Sequence, residues 1–438
     1  MQIAALADRR AFQRVNRIWL HYGVFWLGAI AVGLVAVAYA KLIDFGYALF
    51  LRYTADRFWL PLAITPAVGA VSVWLTRRFF DGSEGSGIPQ VIAMLHGPLE
   101  LGERLLTMRI LVGKILISFL AILGGFTIGR EGPTIHVGAA LMFSLRKFYP
   151  ARLRSIRPGV LERRLALAGA AAGLSAAFNA PLAGVVFAIE ELTRSFEART
   201  SGVLITAIIF AGVVSLGIQG NYVYFGMISM ANRLPDWLAV AVVLIGCLAG
   251  IAGGIFCWLL LNTQRWMPPY LLNLRVQRPV LFGALCGIAI ALIGVLTHGH
   301  TFGSGYAEAR GMLEGKSDVS AIYSALKMFS MVGSYLPGAP GGLFAPSLAI
   351  GAGIGNSLHL LFPQMQLSML IALGMVGYLA AVTQSPITAF VIVIEMTDGH
   401  GLVISLMATA LIASRVSRIF APPLYEALST RYRARSSS

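Results

Sequence analysis

LSAAFNAPLAGVVFAIEE, residues 174–191, returns later in the chain as LAAVTQSPITAFVIVIEM, residues 379–396. The match lays Pro181 over Pro386 and Glu190 over Glu395, and it leaves Glu191 opposite Met396. Working outward, GREGPTIHVGAAL (129–141) aligns with GLFAPSLAIGAGI (342–354), and GSG occurs at 85–87 and again at 303–305. Three matches in one order, with spacings that shorten steadily along the chain, indicate an internal duplication whose halves differ in loop length. The loops then orient the halves. The segment 146–164, after the first of these helices, carries Arg146, Lys147, Arg152, Arg154, Arg157, Arg163 and Arg164, whereas its counterpart LLFPQMQLS (360–368) has no charge. Basic loops stay on the cytoplasmic side of a membrane. Equivalent loops on opposite sides make the repeat an inverted one, an architecture that places a binding site near the midplane at broken helices.

A membrane is implied by composition. Hydrophobic residues make up 57% of the chain and charged residues 12%, and the mean hydropathy is +0.76. A soluble domain averages about 25% charged residues. Charge-free runs cover 22–40, 58–76, 115–129, 165–189, 200–232, 237–264 and 279–297, and 328–394 holds no Asp, Glu, Lys or Arg at all. A helical span needs about 20 apolar residues, so the expectation is an all-α polytopic membrane protein. Arg9, Arg10, Arg14 and Arg17 precede a span too long for a cleavable signal. The net charge of +15 does not point to nucleic acid, because the basic residues sit in short connections and not in a basic domain. Both termini are expected on the cytoplasmic side. Cys247, Cys257 and Cys286 lie in apolar runs and read as small buried hydrophobes. The seven histidines show no metal-ligand spacing, and no cofactor is expected.

Four helices are expected to begin abruptly at membrane depth, at Pro89, Pro133, Pro346 and Pro422–Pro423. Proline suits a first helical turn, and a helix start presents free N–H groups with about half a positive charge. One such start is TIGREGPTIHVG (127–138), which places Arg130 and Glu131 beside it. A charge in the bilayer interior costs at least ~2.5 kcal/mol, so Glu131 is a functional candidate by position alone.

At these residues the sequence resembles the ClC family of chloride channels and chloride/proton antiporters. The resemblance rests on GSGIP (85–89), GREGP (129–133), GGLFAP (341–346) and PLY (423–425), and it extends from about residue 20 to 428. It implies a ClC-type fold of about eighteen helical segments with broken and re-entrant helices. A single transport domain would divide into inverted halves at 18–230 and 231–428, followed by a basic tail at 429–438. It also implies a homodimer with one pathway per subunit. Ser86 and Tyr425 would be hydroxyl donors to a central chloride, completed by the N–H groups of Leu343 and Phe344. The N–H groups around Arg130, Glu131 and Gly132, with those of Phe344 and Ala345, would form an outer site. Neutral donors hold an anion through partial charges and still let it pass. Glu131 would be gate and proton carrier, its carboxylate competing with chloride until a proton removes its charge. Arg130 would orient backbone and not touch the ion.

The resemblance also assigns the inner proton-transfer role to Glu191, at the end of FAIEELTR (187–194). Glu190, matched by Glu395, reads as architectural. Two departures from well-known bacterial antiporters stand after GSGIP, where Gln90 and Ile92 replace acids. Ile92 removes an expected partner of Lys114. Ser86 favours chloride, since fluoride and nitrate specialists of this family typically replace that serine. His136 reads as a core histidine. The competing readings are a passive chloride channel on the same fold and an intramembrane enzyme using Glu131 and Glu191 as an acid/base pair. The latter lacks a nucleophile or metal motif, and the sequence accordingly reads as a transporter.

Overall fold

The computed structural model describes residues 23–149, 159–194, 198–220, 224–226, 237–316 and 319–434. The first half comprises α1 (Val24–Thr54), α2 (Pro61–Phe79), α3 (Ile88–His96), α4 (Glu100–Leu105), α5 (Met108–Leu123), α6 (Glu131–Ser144), α7 (Val160–Phe178), α8 (Pro181–Phe187) and α9 (Ala198–Gln219). The second comprises α10 (Leu238–Leu261), α11 (Thr263–Trp266), α12 (Pro269–Gln277), α13 (Pro279–Leu296), α14 (Tyr306–Leu313), α15 (Tyr323–Tyr335), α16 (Phe344–Leu358), α17 (Leu367–Thr383), α18 (Pro386–Thr397), α19 (Val403–Phe420) and α20 (Leu424–Ala434). These twenty α-helical segments exceed the expected eighteen because short pieces such as α4 and α11 stand apart from their neighbours. The expected division at 230/231 lies outside the described residues, as do residues 150–158 of the basic stretch 146–164. The tail begins as helix, since 429–434 continue α20 without a break.

Among the described residues, five helical stretches are long and apolar enough to cross a membrane: Val24–Thr54, Gly202–Gln219, Leu238–Leu261, Pro279–Leu296 and His400–Phe420. Others are shorter. The starts of α6 and α16 are buried, where irregular backbone is tolerated because protein groups, not lipid, surround it. Proline occupies the first two positions of α2, α3, α8, α12, α13 and α18. Pro133 and Pro346 instead take the third position, so α6 begins at Glu131 and α16 at Phe344.

Two glycine crossings brace the interior. A Cβ on Gly138 would lie 2.2 Å from the Gly169 carbonyl oxygen, and one on Gly169 would lie 2.2 Å from that of Gly138. In the second half, Gly351 and Gly374 stand in the same relation, at 2.3 and 2.1 Å. The repeat aligns Gly138 with Gly351 and Gly169 with Gly374. Small residues let membrane helices approach closely where burial of apolar surface supplies no drive, so α6 on α7 and α16 on α17 are one packing solution used twice.

Inversion is visible where α8 meets α18. Glu395, near the end of α18, accepts from the N–H groups of Leu182 (3.1 Å) and Ala183 (2.7 Å) at the start of α8. Glu190, just past the end of α8, accepts from the N–H groups of Ile387 (3.1 Å) and Thr388 (2.6 Å) at the start of α18. The equivalent helices therefore run antiparallel, each closed by the other's acid. Asn179 and Gln384, which the repeat also aligns, both take left-handed backbone at φ 55° and 57° before these starts.

The repeat breaks at one point. α8 continues as a π-turn, Ala188–Thr193, whereas α18 stays α-helical to Thr397. Thr193 donates its hydroxyl to Ala188, five residues back, while Thr397 donates to Val393, four back. Counted from Pro181 and Pro386, the first half reaches its left-handed closing residue, Arg194, one residue later than the second reaches Asp398. The ungapped pairing of Glu191 with Met396 is thus corrected. Glu191 is the extra residue that widens the turn, and Leu192 and Thr193 take the places of Met396 and Thr397.

Candidate functional site

Two helix starts meet at the repeat axis. Gly129 donates its N–H to the Gly342 carbonyl at 2.8 Å, and Gly342 returns the bond at 2.7 Å. These glycines are equivalent in the two halves, so the axis runs between them. A Cβ on Gly342 would come within 2.9 Å of both the Gly129 oxygen and the Gly132 nitrogen, which only glycine permits. A third segment joins through Gly341, whose N–H donates to the Gly85 carbonyl at 3.0 Å. The motifs at 85–89, 129–133 and 341–346 are thereby brought together.

The helix starts leave few donors, and those point inward. The first intrahelical bonds run from Thr134 to Arg130 and from Ser347 to Leu343, each 3.0 Å. Earlier N–H groups of a helix have no intrahelical partner, and Pro133 and Pro346 have no N–H at all. The amides of Glu131 and Gly132, and of Phe344 and Ala345, are what remains. Arg130 to Gly132 and Leu343 to Ala345 are all buried.

Glu131 is 1% exposed, and its carboxylate folds back over its own helix start. Its Oε2 would lie 2.3 Å from a Cβ at Gly129. The carboxylate faces the N–H groups of Glu131 and Ala345, at a geometry short of formed hydrogen bonds. Arg130 does not pair with it. Its guanidinium donates to both Asp44 oxygens at 2.8 and 2.7 Å, to the Ala40 carbonyl at 3.2 Å and to the Tyr224 hydroxyl at 3.4 Å. This ties the start of α6 to α1.

Ser86 and Tyr425 are wholly buried. The Tyr425 ring stacks on Phe344 with centroids 6.2 Å apart and planes at 13°, and Phe344 in turn meets Phe187 edge-on at 6.1 Å. The Tyr425 hydroxyl has no partner among the described residues. A buried donor without a partner is costly, which makes the Tyr425 hydroxyl a candidate ligand donor.

Lys114 has a partner after all. Its ammonium donates to the carbonyls of Gly85 (2.9 Å) and Glu84 (3.3 Å), while Gln90 donates to Glu84 (2.6 Å) and Gly82 (3.3 Å). The loop before Ser86 is held by its oxygens, and no acid at position 92 is needed. Lys327 repeats the arrangement, donating to the carbonyls of Thr301 (3.0 Å), Phe302 (3.0 Å) and Gly303 (3.1 Å) before the second GSG. Lys114 and Lys327 stand equally far before Glu131 and Phe344. His136 is a core residue, its Nε2 2.9 Å from the Leu105 carbonyl.

Glu191 lies apart from these helix starts, 2% exposed, with Oε2 accepting from the Ser385 hydroxyl and Oε1 without a partner among the described residues. Nearby, Arg194 forms an ion pair with Glu426, the neighbour of Tyr425. Asp44, Lys327 and Ser385 escaped the sequence reading.

The family described as voltage gated chloride channel matches residues 68–418. The H(+)/Cl(-) exchange transporter ClcA of Salmonella arizonae is 30% identical over 455 residues, spanning 98% of this chain and 93% of that protein. The ClcA of Salmonella schwarzengrund is 29% identical over the same shares. Among solved structures, a slow cyanobacterial Cl−/H+ antiporter aligns with a TM-score of 0.79 and 25% identity, over 96% of this chain and 99% of its own. A CLC-type fluoride/proton antiporter, at 21% identity and a TM-score of 0.76, covers 91% of this chain and 95% of its own, and shares the fold.

Proposed function

The chain belongs to the voltage-gated chloride channel family, and we propose that it exchanges chloride for protons across a bacterial inner membrane, with both termini cytoplasmic. The carrying observation is the buried Glu131 carboxylate folded over the free amides of two opposed helix starts. An anion drawn to those amides meets the carboxylate in the same place. Charged, Glu131 occupies the outer position and closes the path. Protonated, it loses the attraction and swings out, and chloride replaces it on the amides of Glu131, Gly132, Phe344 and Ala345. The central ion takes hydroxyls from Ser86 and Tyr425 and amides from Leu343 and Phe344. All of these donors are neutral, so binding is weak enough for release.

Protons reach Glu131 from the cytoplasmic side through Glu191, whose Oε1, without a partner among the described residues, is the oxygen available to accept one. No cofactor and no catalytic step takes part. The working unit is a homodimer with a complete pathway in each subunit, which the mass of the detergent-solubilised protein tests. For the gate, the test is Glu131→Gln in proteoliposomes. Its chloride flux persists, loses pH dependence and drives no protons. A folded mutant that passes no chloride overturns the gate assignment.

A further inference from the structure

We propose that Ser385 is a positioning residue for proton transfer at Glu191, fixing which carboxylate oxygen takes the proton. The inference rests on the reading of Glu191 as a proton carrier and adds the group that orients it.

Ser385 is the residue before Pro386, and its equivalent before Pro181 is Ala180. The two share backbone geometry, φ −116° and ψ 80° at Ser385 against φ −130° and ψ 83° at Ala180. Nothing in the local fold therefore asks for a hydroxyl at 385. Glu191, the inserted residue of the π-turn, has no counterpart in the second half, where α18 runs on without insertion to Met396 and Thr397. An acid of the first half thus meets a hydroxyl of the second, Glu191 against Ser385, and the counterparts of both are missing: Ala180 stands for Ser385 and no residue stands for Glu191. The two bond directly, the Ser385 hydroxyl donating to Glu191 Oε2.

The bond divides the carboxylate. Among the described residues Oε2 is engaged and Oε1 has no partner, so a flip that exchanges them must first break the bond to Ser385. Glu190 cannot substitute, because its oxygens accept from Ile387 and Thr388 in α18. Ser385 and Glu191 are both almost fully buried, where a lost hydrogen bond is not replaced by water.

Ser385→Ala, Ser385→Thr and Glu191→Gln are compared with wild type in one set of proteoliposomes, reading chloride and proton flux together. Alanine fits the backbone, as Ala180 does, and threonine restores the donor. Ser385→Ala is expected to lower chloride-driven proton uptake about tenfold, the scale of one hydrogen bond to a charged group, with chloride flux within about twofold of wild type. Ser385→Thr recovers the uptake. Difference infrared spectra give an independent reading: the protonated Glu191 carbonyl band, identified by its absence in Glu191→Gln, moves to higher wavenumber in Ser385→Ala. Normal coupling and an unmoved band in Ser385→Ala, with coupling lost in Glu191→Gln, overturn the role of Ser385 alone. Normal coupling in Glu191→Gln overturns the proton-carrier reading and this inference with it.

Discussion

Glu190 and Glu395 each close the amide end of the helix that precedes the other, across separations of 197 to 213 residues. A helix start buried without partners is destabilising, and a carboxylate there also meets the positive end of the helix dipole. The exchange locks α8 to α18 and places the π-turn with Glu191 beside the start of α18. Glu395→Gln keeps an acceptor but removes the charge. It is expected to lower stability by about 1 kcal/mol, measured by thermal unfolding in detergent, while proton coupling stays at the wild-type ratio. A coupling defect in this mutant would show that the cap does more than hold the helices.

The proposed central anion site is tested by removing its hydroxyls singly. Ser86→Ala and Tyr425→Phe each take away one neutral donor, worth roughly 0.5–1.5 kcal/mol net. Chloride affinity should fall a few-fold in each, read by calorimetric titration of purified protein. Unchanged affinity in both would relocate the site.

Asp44 holds the Arg130 guanidinium away from Glu131, with Asp44 itself 69% exposed and Arg130 9%. Asp44→Asn leaves that positive charge uncompensated near the outer amides, so the Glu131 carboxylate should be held more firmly. Chloride flux near neutral pH is expected to fall roughly two- to fivefold, the scale of a partly exposed ion pair. Adding Glu131→Gln should erase the difference. A defect that survives in the double mutant would mean that Asp44 acts on something other than the gate.

Gly138→Ala and Gly351→Ala test the paired crossings. Each new methyl would start 2.2 or 2.3 Å from a carbonyl oxygen of the facing helix, a backbone atom that cannot step aside. Losses of about 1–3 kcal/mol are expected for such overpacking, again by thermal unfolding. Because α6 and α16 carry the opposed helix starts, chloride affinity should weaken alongside.

Much of the fold around these helix starts was legible in the residue order. Gly/Pro signals at membrane depth marked α3, α6, α16 and α20, and the charge asymmetry of 146–164 against 360–368 foretold inversion. The aligned acids Glu190 and Glu395 were visible as a pair, though not as caps. What the sequence hid depends on contacts between distant segments. Lys114 and Lys327 are satisfied by backbone carbonyls, which every residue carries and which leave no mark in the residue order. Asp44 lies 86 residues from Arg130. The insertion at Glu191 changes hydrogen-bond spacing by one residue, which an ungapped comparison of EELT with EMTD cannot register.

The central claim is that one chain moves chloride and protons in obligate exchange, through Glu131 outside and Glu191 inside. Its most direct test is proton uptake driven by a chloride gradient, measured in proteoliposomes with wild type and Glu191→Gln in parallel. Wild type is predicted to pump protons against their gradient as chloride runs down its own, while Glu191→Gln passes chloride alone, since Ser86, Phe344 and Tyr425 are untouched. Chloride flux in wild type with no proton movement at any pH would contradict exchange and make the protein a passive chloride channel.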